Sequence, residues 1–200
     1  MHGTRNPEHG TPMNLRKNLP NYLTYLRILA IPAITFTFFL KGEWSYYLST
    51  ALFSIAGISD WFDGYLARIW NAQSRLGQFL DPIADKLLVA TILMLLVDQE
   101  RADLLPSIAI VCREILVSGL REFLAEIRIG VPVSKLAKIK TAAQMIAIGF
   151  LLLGPAGPVW MHLELWGRLL LWSAALLTLV TGYAYLRVGL RHMAYEDNVR

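Results

Sequence analysis

Four aspartates, Asp60, Asp63, Asp81 and Asp85, fall in one short run that reads DWFDGYLARIWNAQSRLGQFLDPIAD, inside a chain that is otherwise strongly apolar. A carboxylate in a membrane-spanning segment costs up to ~3 kcal/mol near the bilayer centre and less toward the interface. The run holds fewer cations than acids, so bound metal accounts for the cluster better than ion pairing within the run. Hard oxygen donors favour Mg²⁺ or Mn²⁺ over zinc. Two divalent ions would balance four carboxylates. A pair of ions about 4 Å apart can clamp the attacking and leaving oxygens of a phosphoryl transfer.

Spacing fixes how helices must present these groups. Asp60, Asp63, Gly64, Ala67 and Arg68 recur at helical intervals and share one side of a helix. Gly77, Asp81 and Asp85 step by four and share one side of the next. Residues 69–76 (Ile-Trp-Asn-Ala-Gln-Ser-Arg-Leu) include enough polar side chains for a short connection. Two antiparallel helices joined there turn four carboxylates toward one another. Gly64, Ala67 and Gly77 are small enough to let a ligand or a second backbone approach closely.

The same residues carry a family resemblance. The pattern Asp60-x2-Asp63-Gly64-x2-Ala67-Arg68-x8-Gly77-x3-Asp81-x3-Asp85 resembles the full signature of the CDP-alcohol phosphotransferases, with no departure at any motif position. Eight residues at fixed spacing are far more specific than a set of charges at helix ends. The resemblance implies an all-α integral membrane fold and transfer of a substituted phosphate from a CDP-linked lipid to an alcohol, with release of CMP. It implies two divalent cations held by Asp60, Asp63 and Asp81, with Asp85 completing the set and acting as general base. It implies a CDP-lipid site at Gly64, Ala67, Arg68 and Gly77, and a homodimer.

Composition fits a membrane protein. Hydrophobic residues make up 55% of the 200 and mean hydropathy is +0.44. Apolar runs near Tyr22–Leu40, Tyr47–Trp70, Phe79–Val97, Leu104–Leu124, Leu136–Leu153 and Leu165–Leu186 each approach the about 20 residues needed to cross a hydrocarbon core. The expectation is one six-helix transmembrane catalytic domain over 18–190. Residues 1–17 are expected as a disordered or leader segment without a signal-peptide core, and 191–200 as a basic cytoplasmic tail.

Basic residues set the orientation. With the N-terminus in the cytoplasm, most Lys and Arg fall on that side, and only Lys41, Arg101 and Arg168 fall on the other. This makes a multi-pass membrane protein with its site open to the cytoplasm, and the resemblance implies a bacterial cytoplasmic membrane. The net charge of +4 suits an anionic leaflet. The chain has no soluble basic module for nucleic acid. Asp63 and Asp81 then lie roughly 5–10 Å below the cytoplasmic boundary, at the depth of lipid phosphates. Pro82 is expected in the first turn of the third helix, where a missing N–H costs little.

The acceptor must be read from the rest of the chain. Arg113 and Glu114 interrupt an apolar helix, Arg121 and Glu122 follow, and Lys135, Lys138 and Lys140 open the next helix. Arg113 and Glu114 suit a structural bridge, because intramembrane charges pair. Alternatively Arg113, Arg121, Lys138 and Lys140 line an anionic pocket, which suits an acceptor that itself bears phosphate. The wider resemblance extends over Asn18-Leu-Pro20-Asn21-x2-Thr24-x2-Arg27, Arg113-Glu114 and Lys138-Ile-Lys140. It implies glycerol 3-phosphate as acceptor, and places Asn21, Thr24 and Arg27 near the nucleotide. Snorkelling to the interface accounts for Arg27 equally well. Two other readings compete: a sister enzyme taking inositol phosphate, serine or phosphatidylglycerol, and a divalent-cation transporter. The carboxylates gather toward one side of the bilayer, which argues against the transporter. Cys112 is the single cysteine, so no intrachain disulfide forms.

Overall fold

The computed structural model describes the backbone of residues 12–70, 75–127 and 135–197. The side chains of 12–21, 61, 63–70, 75, 76, 78, 126, 135, 137, 184, 188 and 190–197 lie outside that description. Six long helices make up the described chain: α1 (Pro12–Thr37), α2 (Trp44–Trp70), α3 (Arg75–Asp98), α4 (Leu104–Glu126), α5 (Lys135–Leu153) and α6 (Leu163–Asp197). No strand occurs among the described residues. Two single-turn 3₁₀ segments, Gly154–Ala156 and Val159–Met161, join α5 to α6.

The helices alternate in direction. The contacts of Gly154 with Glu164 and of Leu151 with Gly167 run oppositely along α5 and α6. Those of Asp103 with Arg168, Arg113 with Thr181 and Leu120 with Gly189 run the same way along α4 and α6. Tyr47 on Ala156 and Arg101 on Leu152 bring the start of α2 and the end of α3 to the α5–α6 connection. The α1–α2, α3–α4 and α5–α6 connections therefore share one end of the bundle. The α2–α3 and α4–α5 connections share the other, which holds the signature. Ile34, Phe53, Leu88, Ile92, Leu93, Ile110, Ile148, Leu151 and Leu171 fill the core between them.

Helix bounds follow the apolar runs, with informative differences at the ends. Helix α1 opens at Pro12, earlier than the expected boundary at 18, because proline suits a first helical turn and 13–17 contain no breaker. Helix α3 opens at Arg75, so Pro82 lies in its interior and not in its first turn. Arg75 and Leu76 read as connection because of their polar neighbours, yet they are good helix formers. Pro82 consequently deprives the Gln78 carbonyl of its helical N–H donor, in the turn that leads to Asp81. Helix α6 runs for 35 residues, through 191–197, where a tail was expected.

The end away from the signature is stitched by polar contacts. Helix α3 stops in a Schellman turn. Arg101 N–H bonds Leu96 O at 2.8 Å, Glu100 N–H bonds Val97 O at 3.0 Å, and Glu100 adopts a left-handed φ of 55°. That turn sends Arg101 inward to donate to the last carbonyls of α5, Leu151 O and, at 2.7 Å, Leu152 O. Its guanidinium also covers the Tyr46 ring at 4.8 Å from the centroid. Burial pushes the Arg101 pKa down, and Tyr46 and Glu164 oppose that shift. Asp103 accepts from Trp172 Nε1 at 2.8 Å and pairs with Arg168 at 3.3 Å. Tyr47 Oη donates to Ala156 O at 2.8 Å.

Candidate active site

Helix α1 delivers two groups to the signature acids. Arg27 is 0% exposed and its Nη2 lies 2.7 Å from Asp60 Oδ1. Thr24 is buried and donates its hydroxyl to Asp81 Oδ1. Arg27 does not snorkel, because a carboxylate on α2 meets it inside the protein. The acids are therefore not matched only by cations of their own run: Asp60 takes its counter-charge from a helix 33 residues earlier in the sequence.

Asp60, Asp81 and Asp85 come from α2 and α3, and Gly77 is buried one turn before Asp81. Asp85 lies within electrostatic reach of Asp60. Asp63, Gly64, Ala67 and Arg68 continue α2, and Asn21 lies in α1, but their side chains are outside the described residues. Among the described residues no group of three or more His, Cys, Asp or Glu side chains is gathered around a point where one ion would sit. The donors that are described still suit a hard cation: they are carboxylate oxygens, and the Asp60 side chain is 48% exposed even with Arg27 on its Oδ1.

Beside the acids opens a cavity of about 790 Å³ walled by α3, α4, α5 and α6. Asp85 and Lys86 reach it from α3, Arg113, Glu114 and Arg121 from α4, and Lys138 and Lys140 from α5. The four cations expected to serve an acceptor thus line one space with the last acid of the signature.

The four cations are not equivalent. Glu114 binds two of them: Lys140, which is 3% exposed, and Arg113 Nη1 at 3.2 Å. Arg113 Nη2 then reaches across to Thr181 Oγ1 on α6 at 3.2 Å. The Arg113–Glu114 pair bridges helices and also borders the cavity. Arg121 and Lys138 are exposed to the cavity and make no ion pair among the described residues. Sequence reasoning missed Thr181 and Gly182. The only signal was a Thr-Gly step in the middle of an apolar helix.

An all-helical bundle with signature acids on two adjacent helices and a cation-lined cavity beside them defines a class of membrane-lipid transferase. The CDP-alcohol phosphatidyltransferase family model matches residues 17–180, and the chain belongs to that family. Among its relatives, the CDP-diacylglycerol–glycerol-3-phosphate 3-phosphatidyltransferase of Rickettsia bellii is 49% identical over 175 residues, covering 88% of this chain and 97% of the relative. The protein of the same name from Rickettsia felis is 46% identical over the same shares. That of Escherichia coli strain K12 is 42% identical over 173 residues, 84% of this chain and 93% of the relative.

Proposed function

We propose that this chain transfers the phosphatidyl group of CDP-diacylglycerol to the free hydroxyl of glycerol 3-phosphate, giving phosphatidylglycerophosphate and CMP in anionic phospholipid synthesis. The names of relatives that match nearly its whole length support the reaction. One observation carries the acceptor assignment: Asp85, alone among the described signature acids, lines the cavity that also holds Arg113, Arg121, Lys138 and Lys140. A phosphate held by those cations leaves the acceptor hydroxyl near Asp85.

Roles follow from position. Asp85 takes the proton of the acceptor hydroxyl as general base. Arg121 and Lys138 grip the acceptor phosphate directly, and Arg113 and Lys140 add positive field from behind, fixed by Glu114. Gly64, Ala67, Arg68 and Gly77 take the CDP portion with Asn21 and Thr24, and Arg27 holds Asp60 in place. Asp60, Asp63, Asp81 and Asp85 would hold two divalent cations, Mg²⁺ or Mn²⁺, whose positive charge when bound would stabilise the oxygens of the transferring phosphate.

The six helices span a bacterial cytoplasmic membrane with the signature end toward the cytoplasm, and the chain works as a homodimer. Two stretches, Lys138–Ala156 and Val159–Arg187, are long and apolar enough to cross on that measure alone. Outward-facing Leu29, Phe36, Ile58, Met94, Ile115 and Val180, each more than half exposed, support a lipid surround for the other helices too.

The deciding experiment measures CMP release from CDP-diacylglycerol by the purified chain in detergent with glycerol 3-phosphate, inositol phosphate, serine or phosphatidylglycerol as sole acceptor. Turnover with glycerol 3-phosphate is expected. Turnover with another acceptor alone overturns the assignment.

A further inference from the structure

We propose that Thr181 and Gly182 of α6 are positioning residues for the acceptor, acting through Arg113. The proposal rests on the reading that the α3–α4–α5–α6 cavity takes glycerol 3-phosphate. Helix α6 carries none of the signature, and among the described residues it supplies no cation to the cavity, Tyr185 being its contribution to the wall.

Three observations meet at Arg113. Thr181 Oγ1 lies 2.8 Å from Leu177 O in its own helix, so its proton is committed there and a lone pair is left for Arg113 Nη2 at 3.2 Å. A Cβ placed on Gly182 would stand 3.0 Å from Arg113 Cγ and 3.5 Å from Nε, so only glycine leaves the arginine stem its present path. The other end of the guanidinium is held by Glu114, which also holds Lys140. Arg113 is thus held between α6 and Glu114, so α6 sets where this cation of the cavity stands.

The test compares Thr181→Val, Thr181→Ser, Gly182→Ala and Gly182→Val with Gly189→Ala. Gly189 is the packing control, because a Cβ there meets apolar Leu120 at 2.7 Å in the same α4–α6 seam. Each substrate is varied in turn in mixed micelles, and thermal unfolding is followed in parallel. Thr181→Val and Gly182→Val are expected to raise the glycerol 3-phosphate KM roughly tenfold, as for loss of a charged hydrogen bond, with the CDP-diacylglycerol KM within about twofold. Gly182→Ala gives a smaller rise in the same KM, and Thr181→Ser stays near wild type. Gly189→Ala lowers the unfolding temperature without moving the acceptor KM. An unchanged acceptor KM in Thr181→Val overturns the proposal, as does a rise in Gly189→Ala equal to that in Gly182→Ala. If wild type releases no CMP with glycerol 3-phosphate, the reaction itself is wrong and this role falls with it. Normal wild-type turnover with unmoved variants removes only the role.

Discussion

Arg27 Nη2 lies 2.7 Å from Asp60 Oδ1, which ties the first acid of the signature to a fully buried guanidinium on another helix. The pair holds Asp60 by one carboxylate oxygen from a charge carried on α1.

Arg27→Leu is therefore expected to do more damage than Arg27→Lys. Breaking a buried ion pair from one side costs about 3–5 kcal/mol, less where the remaining acid reaches solvent as Asp60 does. Thermal unfolding in detergent should fall clearly for Leu and little for Lys. Equal unfolding temperatures for Leu and wild type would show that the pair is not structural.

Metal removal should abolish turnover. Activity is expected to vanish in chelator and return with Mg²⁺ or Mn²⁺, and Asp60→Asn, Asp63→Asn and Asp81→Asn should each be nearly inactive while remaining folded. Full turnover in chelator would rule the two-cation reading out.

Asp85 borders the acceptor cavity, so its loss should slow chemistry more than lipid binding. Asp85→Asn is expected to lower kcat by ~10²–10⁴, the usual scale of general base catalysis, with CDP-diacylglycerol affinity retained. Binding isotherms beside steady-state rates check this, and a matching loss of affinity would assign Asp85 to cation binding alone.

The cavity cations should divide into two kinds. Arg121→Gln and Lys138→Gln remove charges that make no ion pair among the described residues. Each is expected to raise the acceptor KM roughly ten- to hundredfold without loss of stability. Lys140→Gln leaves Glu114 short of its buried partner, so it should lower the unfolding temperature as well as raise KM. If Arg121→Gln and Lys138→Gln both leave the acceptor KM unchanged, the phosphate sits elsewhere.

The helices were legible because each is a long apolar run closed by polar residues. The fifth was expected over Leu136–Leu153 and observed over Lys135–Leu153. The acids were legible because their spacing is helical and their type is costly in an apolar setting. Long-range pairing was not legible. Nothing local marks Arg27 as the partner of Asp60 or Lys140 as the partner of Glu114, since those meetings depend on which helices neighbour one another. The α3 start was misjudged because polar residues at a membrane boundary resemble a loop whether or not they are helical. Arg101 read only as a charge on the outer side. Its inward turn depends on the left-handed Glu100, a conformation that glycine would have signalled and glutamate does not.

The polar stitching described for the end remote from the signature gives the bundle a mechanical asymmetry. Arg101 clamps the tail of α5, Asp103 fastens the head of α6 through Arg168 and Trp172, and Tyr47 pins the α5–α6 connector. At that end the ties engage main-chain carbonyls and connectors, whereas at the signature end the helices meet through side-chain pairs, Arg27 with Asp60, Thr24 with Asp81, Lys140 with Glu114 and Arg113 with Thr181. Amide exchange should accordingly be slowest in the segments around residues 96–107 and 147–156 and fastest at the signature end of α3 and α5.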